Sequence, residues 1–317
     1  MQKQVVGFLM IWHFNLDPVA FEFLGVSVYW YGICFASGIM LSTFLLERDK
    51  DFIAVVPTTQ LRDRFLTLLV VSLLLGAKFG YLALYTSMSA WSEHLVSPRG
   101  FSFHGALVGA LSFLVMWSKC YKISLYNLMD LAAYYTPIGL FFGRVGNFLN
   151  SELWGRPTYS EHFGVIFERT DRLLIPRHPS QLYEAFGEGF CLFLLMFFTR
   201  RYSRKKGQLS AHFLLGYGVV RFVIESWRQP DSHLGFVLRF PGILSIGLSF
   251  FIFSYQSVRL INAKKPIFLS LVSTCLLMLL CGLTGSPFNE PWLLTMGQLL
   301  CLGMIIGGLS IQIRQLS

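Results

Sequence analysis

Within the sixteen residues GRVGNFLNSELWGRPT, Gly143 to Thr158, two arginines (Arg144 and Arg156), two amides (Asn147 and Asn150) and Glu152 stand among Gly143, Gly146 and Gly155. The run leaves directly from an apolar segment of about twenty residues, the length that crosses a bilayer. Charged and amide groups at a membrane boundary are costly unless each has a partner, so the run reads as a site. The competing reading is an ordinary loop whose glycines stop a helix. Guanidinium groups suit phosphate because they offer paired N–H donors, and amides can orient a polar headgroup.

A second constellation lies in the apolar stretch 209–227. Tyr217, Arg221, Glu225 and Arg228 recur at i, i+4, i+8 and i+11, which aligns them along one helix face. Arg221 falls about six residues, or roughly 9 Å, inside the end of that stretch at 1.5 Å per residue. A charge at that depth must face protein, water or a ligand, because hydrocarbon costs it ~3 kcal/mol or more. Glu225 at i+4 is an alternative, purely structural partner.

Smaller signals recur at other segment ends. VSVYWYG carries Tyr29, Trp30 and Tyr31, which also fit an interfacial aromatic belt. FHG places His104 at the start of another stretch, where a hydrogen-bonded interfacial histidine is the competing reading. HPSQLYE supplies Gln181, Tyr183 and Glu184. Glu184 and Glu188, one turn apart, read on their own as a helix face meeting a polar neighbour. Lys78 either snorkels or pairs, and Asp130 is expected to pair with a neighbouring helix.

The elements that position these residues are membrane spans. With 54% hydrophobic and only 14% charged residues, and a mean hydropathy of +0.56, the chain is an integral membrane protein. Nine apolar stretches occur near 26–46, 65–86, 103–118, 123–143, 182–199, 209–227, 241–258, 267–284 and 292–312. The expected fold class is therefore all-α: a polytopic helical bundle of seven core spans and two further C-terminal spans, with a small outer loop domain at 144–180. The expected organisation is an outer interfacial segment over 1–24, a core over 25–260 and the additional spans over 261–317. The short apolar run Val5 to Trp12 has no small-x-small cleavage site after it, so an interfacial segment is preferred to a signal peptide.

The net charge of +9 does not indicate nucleic acid, because the basic residues cluster between apolar stretches. Fifteen Lys and Arg lie in the alternate connections containing Arg48, Lys119, Arg200 and Lys264 together with Arg314, against nine on the opposite side. The positive-inside rule then puts the N-terminus outside, the C-terminus in the cytoplasm and 144–180 outside. The six cysteines form no CxxC pair and have no His at ligand spacing, so neither disulfides nor a metal is expected.

This orientation puts Tyr31, His104, Arg144, Asn147, Glu152, Gln181, Glu184, Arg221 and Glu225, from six parts of the chain, at or just inside the outer leaflet. Arginines, amides, a histidine and a tyrosine converging at that depth make a pocket for a phospholipid headgroup whose acyl chains stay in the bilayer. A transporter or flippase would instead spread polar residues through the whole bilayer depth, and the inner half here holds little beyond Asp130. A scaffold without a site leaves Arg144 and Arg221 unexplained.

YWYG, FHGALVG, GRVGNFLNSELWGRPT, RHPSQLYE and YGVVRFVIESWRQPD together resemble the prolipoprotein diacylglyceryl transferase family, over about residues 15 to 260. The resemblance implies a multi-pass enzyme of the bacterial inner membrane. Its expected reaction transfers a diacylglyceryl group from phosphatidylglycerol to the thiol of the lipobox cysteine in a preprolipoprotein signal peptide, releasing glycerol phosphate without a cofactor. The family's important positions fall on Tyr31, His104, Arg144, Asn147, Glu152, Gly155, Arg221 and Glu225, with Tyr217 as a weaker member.

The expected catalytic set is Tyr31, His104, Arg144, Glu152 and Arg221. Phosphatidylglycerol is expected on Arg144, Asn147, Gly155, Tyr217, Arg221 and Glu225. His104 is the candidate base, with Glu152, Glu225 and the tyrosines as other proton acceptors. Three departures from the family pattern are Lys78 for an arginine, Ala106 for a second glycine and Gly242 for a glutamine. The two further C-terminal spans carry no readable chemistry and suit either a buttress or an oligomer contact.

Overall fold

The computed structural model describes residues 10–86, 91–96, 100–158, 163–203, 205–229, 236–240 and 292–316. Helices dominate. α1 is Trp30–Glu47, α2 Lys50–Val55, α3 Thr59–Tyr85, α4 Trp91–Val96, α5 Phe103–Tyr121 and α6 Leu125–Leu149. α7 is Ser180–Arg200, with a π-helical segment at Ala185–Cys191, α8 is Gln208–Ile224 and α9 is Met296–Leu316. Among the described residues four helices are long and apolar enough to cross a membrane: Trp30–Glu47, Thr59–Leu84, Phe103–Tyr121 and Ser180–Arg200.

Of the nine expected spans, 241–258 and 267–284 lie outside the described residues, as does Gly242. The other seven each coincide with a helix, with shifted bounds. Residues 26–29 form a strand ahead of α1, and α9 is preceded by the strand Trp292–Thr295. α3 begins six residues earlier than expected, at Thr59, and α6 was expected to end near 143. It continues to Leu149, so Arg144 and Asn147 are helical and not part of a loop.

The strict all-α expectation is amended by three small two-stranded sheets. β1 (Met10–Phe14) pairs in parallel with β4 (Phe163–Phe167), β2 (Val19–Phe23) pairs antiparallel with β3 (Val26–Tyr29), and β5 (Phe236–Phe240) pairs antiparallel with β6 (Trp292–Thr295). The first pairing also revises the N-terminus. Of the apolar run Val5 to Trp12 only Met10 to Trp12 lies within the described residues, and there it belongs to a strand paired with the loop beyond α6, in the register Met10↔Phe163 to Phe14↔Phe167. Phe14, Phe148, Val165 and Phe167 form a buried cluster there, with Leu16, Leu149, Trp154 and Leu182 against it. Alternating side chains of both strands thus have an apolar face to bury, which the short run Val5 to Trp12 by itself conceals.

The chain divides into two compact units. One comprises 1–38, 137–202 and 211–317, and the other 39–136 and 203–210. In the second unit α3 and α5 meet through glycines: a Cβ on Gly105 would collide with the Gly76 carbonyl, and one on Gly109 with the Ser72 carbonyl. The seam lets two backbones approach as only small residues permit. Ser102 starts α5 by accepting at Oγ from Gly105 N (3.3 Å) while its own N–H donates to Ala77 O (2.9 Å). In the same unit Asp130 accepts from Gly207 N, Ser210 N and Ser210 Oγ, each at 2.7 Å. Its expected helix partner is therefore the start of α8, whose otherwise unmatched N–H groups a carboxylate suits.

In the first unit α9 packs on α8. Gln298 Nε2 donates to Phe222 O at 3.3 Å, and a Cβ on Gly218 would lie 2.8 Å from Ile305 Cγ1. Of the two roles left open for the last span, this contact favours the buttress.

Candidate functional site

α8 carries Arg221 into the interior of the first unit, 9% exposed at its side chain. Its Nη1 lies 3.0 Å from Glu184 Oε2 and 3.0 Å from Glu188 Oε1, and its Nη2 2.9 Å from Glu225 Oε2. One planar guanidinium therefore faces three carboxylates, a fan that an ammonium cannot reproduce. Arg144, near the C-terminal end of α6, reaches the same acids: Nε lies 2.7 Å from Glu184 Oε2 and Nη2 3.8 Å from Glu188 Oε2. Arg228, just beyond α8, adds Nε at 3.8 Å from Glu184 Oε1 and Nη1 at 3.8 Å from Glu225 Oε2.

Three arginines and three glutamates thus balance in one buried cluster. Glu184 and Glu188, 1% and 0% exposed, are its centre; the expectation includes Glu184 in the headgroup pocket, whereas Glu188 reads from the sequence only as part of a helix face. Their partners could have been sought among the arginines of apolar segments, since a buried carboxylate must find a cation. Arg228 was noted on the α8 face but not among the site residues. The π segment holding Glu188 gave no sequence signal, though such segments recur at functional sites. It approaches α6 closely: a Cβ on Gly189 would sit 2.6 Å from Phe141 Cβ. A balanced buried cluster of this kind is weak evidence for stability, because desolvation cancels much of the attraction, and it is better suited to holding groups in fixed directions.

A second network joins the end of α6 to α1. Asn150 Oδ1 accepts from Tyr31 N (3.3 Å), Asn150 Nδ2 donates to Glu152 Oε1 (3.2 Å), and Glu152 N donates to Asn147 O (2.9 Å). Gly146 allows the approach, since a Cβ there would lie 3.1 Å from Tyr31 Cα. Ser151 and Leu153 flank Glu152 with φ of 56° and 55°, a left-handed geometry that costs a non-glycine residue roughly 1–2 kcal/mol. Gln181 holds the segment from below: its Nε2 donates to Glu152 O at 2.6 Å, beside Ser180 Oγ donating to Leu153 O at 3.3 Å.

Gly155 was expected on the lipid, admitting a close approach of the outer loop. A Cβ there would instead meet His178 O at 2.5 Å and Trp227 O at 2.6 Å. Gly155 N donates to His178 O, and Arg156 N donates to Trp227 O, both at 2.9 Å, so the glycine lets three chain segments cross behind the site. Arg156 Nε adds a bond to Arg228 O at 3.0 Å. Beyond the crossing, Arg177 Nε donates to Asp171 Oδ2 at 2.6 Å and its guanidinium stacks 5.4 Å over Trp154. Burial opposes ionisation of Asp171, but Arg177 and the backbone N–H groups of Leu173 and Ile175 outweigh it and hold the carboxyl below its ordinary range. Burial keeps His178 below the usual histidine value, and its Nδ1 lies 3.2 Å from Tyr183 Oη.

The first unit therefore contains Tyr31, Arg144, Asn147, Glu152, Gly155, Tyr217, Arg221 and Glu225. Asn147 is buried, and Tyr217 stacks on Phe213 with ring centroids 5.7 Å apart. His104 belongs to the second unit, exposed near the start of α5. Lys78, also there, points its Nζ 5.2 Å over the Phe101 ring. Among the described residues no three His, Cys, Asp or Glu side chains are grouped to hold a metal ion. The cluster's carboxylates and guanidinium groups are directed at one another.

Residues 18–258 match the family model for prolipoprotein diacylglyceryl transferase. The chain is 38% identical over 246 residues to the phosphatidylglycerol–prolipoprotein diacylglyceryl transferase of Campylobacter curvus, covering 71% of this chain and 86% of that protein. It is 35% identical over 269 residues to the protein of that name from Campylobacter lari, covering 79% and 96%, and 36% identical over 235 residues to that of Rickettsia typhi, covering 71% and 88%. With that agreement spanning both polar networks, the chain belongs to the prolipoprotein diacylglyceryl transferase family.

Proposed function

We propose that this protein transfers the diacylglyceryl group of phosphatidylglycerol to the thiol of a prolipoprotein's lipobox cysteine, with release of glycerol phosphate, at the outer face of the bacterial inner membrane. The observation that carries the reading is the family match over 18–258, which contains the whole Arg144–Glu184–Glu188–Arg221–Glu225–Arg228 cluster. In this reading the thiolate sulfur attacks the C3 carbon of the glyceryl group, the C3–O bond breaks, and the electron pair leaves on the phosphate.

Arg144 and Arg221 bind that phosphate and take up its developing charge, worth ~3–4 kcal/mol for one well-placed donor. The three glutamates set the planes of the guanidinium groups. Asn147 and Tyr217 line the headgroup, and Tyr31 and Glu152 form the wall next to it. Gly155 lets the outer loop approach the headgroup closely, and its lack of a side chain also admits the carbonyls of His178 and Trp227. His104 takes the thiol proton, whose unperturbed pKa is near 8.5.

Purified protein mixed with labelled phosphatidylglycerol and a lipobox peptide is expected to yield diacylglyceryl peptide and free glycerol phosphate in equal amounts. A folded preparation that produces neither would end the transferase reading.

A further inference from the structure

At this site the buried side-chain atoms without a hydrogen-bond partner among the described residues include Ser151 Oγ, Gln181 Oε1, Glu184 Oε1 and Glu188 Oε2. All four are oxygens able to accept, and three project from the first two turns of α7 at positions i, i+3 and i+7, which share a face. The Ser151 hydroxyl can also donate, but the three α7 oxygens can only accept, so their unmatched capacity is for hydrogen-bond donors. A phosphate brings only acceptors, so it cannot supply them. The part of phosphatidylglycerol that brings donors is its glycerol headgroup, with two hydroxyls.

The four oxygens are not equivalent. Glu184 Oε1 has Arg228 Nε at 3.8 Å and Glu188 Oε2 has Arg144 Nη2 at 3.8 Å, so a small swing of either guanidinium would satisfy them. Among the described residues Gln181 Oε1 has no hydrogen-bond partner, and its direction is fixed. Because Glu152 O can only accept, the amide nitrogen must face it at 2.6 Å, which leaves the amide oxygen turned away from it in a fully buried position. A buried acceptor left unmatched is costly, and a site that hydrogen-bonds a substrate hydroxyl rejects an analogue without it more strongly than apolar contact can.

We propose that Gln181 is a specificity-determining residue, whose Oε1, with Oε1 of Glu184 and Oε2 of Glu188, accepts from the glycerol hydroxyls and selects that headgroup among anionic phospholipids. The proposal rests on the transferase reading above.

The test compares kcat/KM for phosphatidylglycerol with that for three donors of the same acyl chains: phosphatidyl-1,3-propanediol, phosphatidyl-1,2-propanediol and phosphatidylpropanol. Where turnover of an analogue is too slow to follow, its inhibition constant against phosphatidylglycerol is used. Wild type is expected to lose about tenfold for each hydroxyl removed. Gln181→Met, of similar shape without the amide, should lower phosphatidylglycerol about tenfold more than phosphatidylpropanol, compressing the ratio. A wild-type series flat within about threefold would overturn the proposal with no variant needed, so a misfolded Gln181→Met cannot shelter it. Equal losses on all four lipids in a folded Gln181→Met would also overturn it, reducing Gln181 to a structural tie on Glu152. Failure of folded wild type to turn over phosphatidylglycerol would instead bring down the transferase reading.

Discussion

Arg221 shows why guanidinium and ammonium are not interchangeable here. Two of its nitrogens contact Glu184, Glu188 and Glu225 within 3.0 Å, so Arg221→Lys keeps a charge but can hold only part of the fan. Peptide lipidation should fall by about one to three orders of magnitude, and raising the pH should not restore it. His104→Gln should behave differently if His104 is the base: its deficit should shrink as pH rises toward the thiol pKa near 8.5, where free thiolate replaces the missing acceptor. Initial rates from about pH 6 to 9.5 for both folded variants separate the two cases, and parallel profiles would remove the base assignment. Arg221 was legible from the sequence because its depth in an apolar stretch is anomalous whatever the fold. Glu184 and Glu188 were visible as a pair but not as the centre, since a helical i, i+4 spacing does not say which neighbour the face meets. Gly155 was singled out as a close-approach position, but only the fold reveals that the neighbours are backbone carbonyls of 178 and 227.

At the scale of elements, apolar length found the helices, while their ends and the small sheets were hidden. α6 overruns its apolar stretch by one and a half turns because Arg144, Asn147 and the glycines near them are sheltered by other elements, and hydropathy cannot register that shelter. The β1–β4 pairing joins segments far apart in the chain, and a five-residue strand carries little periodicity. The same loop beyond α6 holds the buried pair Asp171–Arg177, 4% and 8% exposed at their side chains. The folded-state pKa of Asp171 is depressed, so its contribution is present above the ordinary value of 3.8 and is lost as pH falls through and below it. Asp171→Asn would leave Arg177 buried beside a neutral amide and should destabilise this region by about 3–5 kcal/mol at neutral pH, an effect that fades under acid. Limited proteolysis of 144–180 in detergent, wild type against variant at pH 7 and pH 3.5, measures it. Equal cleavage rates at pH 7 would show that the pair holds nothing.

For the whole molecule, the orientation proposed in the bilayer rests on charge and not on the fold. Four helices qualify as spans among the described residues, and the remaining expected spans are either shorter, more polar or outside those residues. Helix packing is insensitive to which end faces the cytoplasm, whereas fifteen basic residues against nine give the insertion machinery a direction. The polar networks at Tyr31, Glu152 and Arg221 should then open outward, where a lipobox cysteine emerging from translocation would meet them. Arg172 and Lys205, both exposed, lie on opposite sides in this orientation. In a cysteine-free background, Arg172→Cys should react with an impermeant maleimide on intact spheroplasts, and Lys205→Cys only after lysis. Native Cys120, which is exposed, has to be removed first. The opposite labelling would reverse the charge-based orientation and put the arginine–glutamate cluster toward the cytoplasm, on the wrong side for a translocated substrate. Labelling of both positions before lysis would mean that an odd number of crossings does not separate them, and the assignment of α7 as a full span, the one helix between them that carries Glu184 and Glu188, would have to be abandoned.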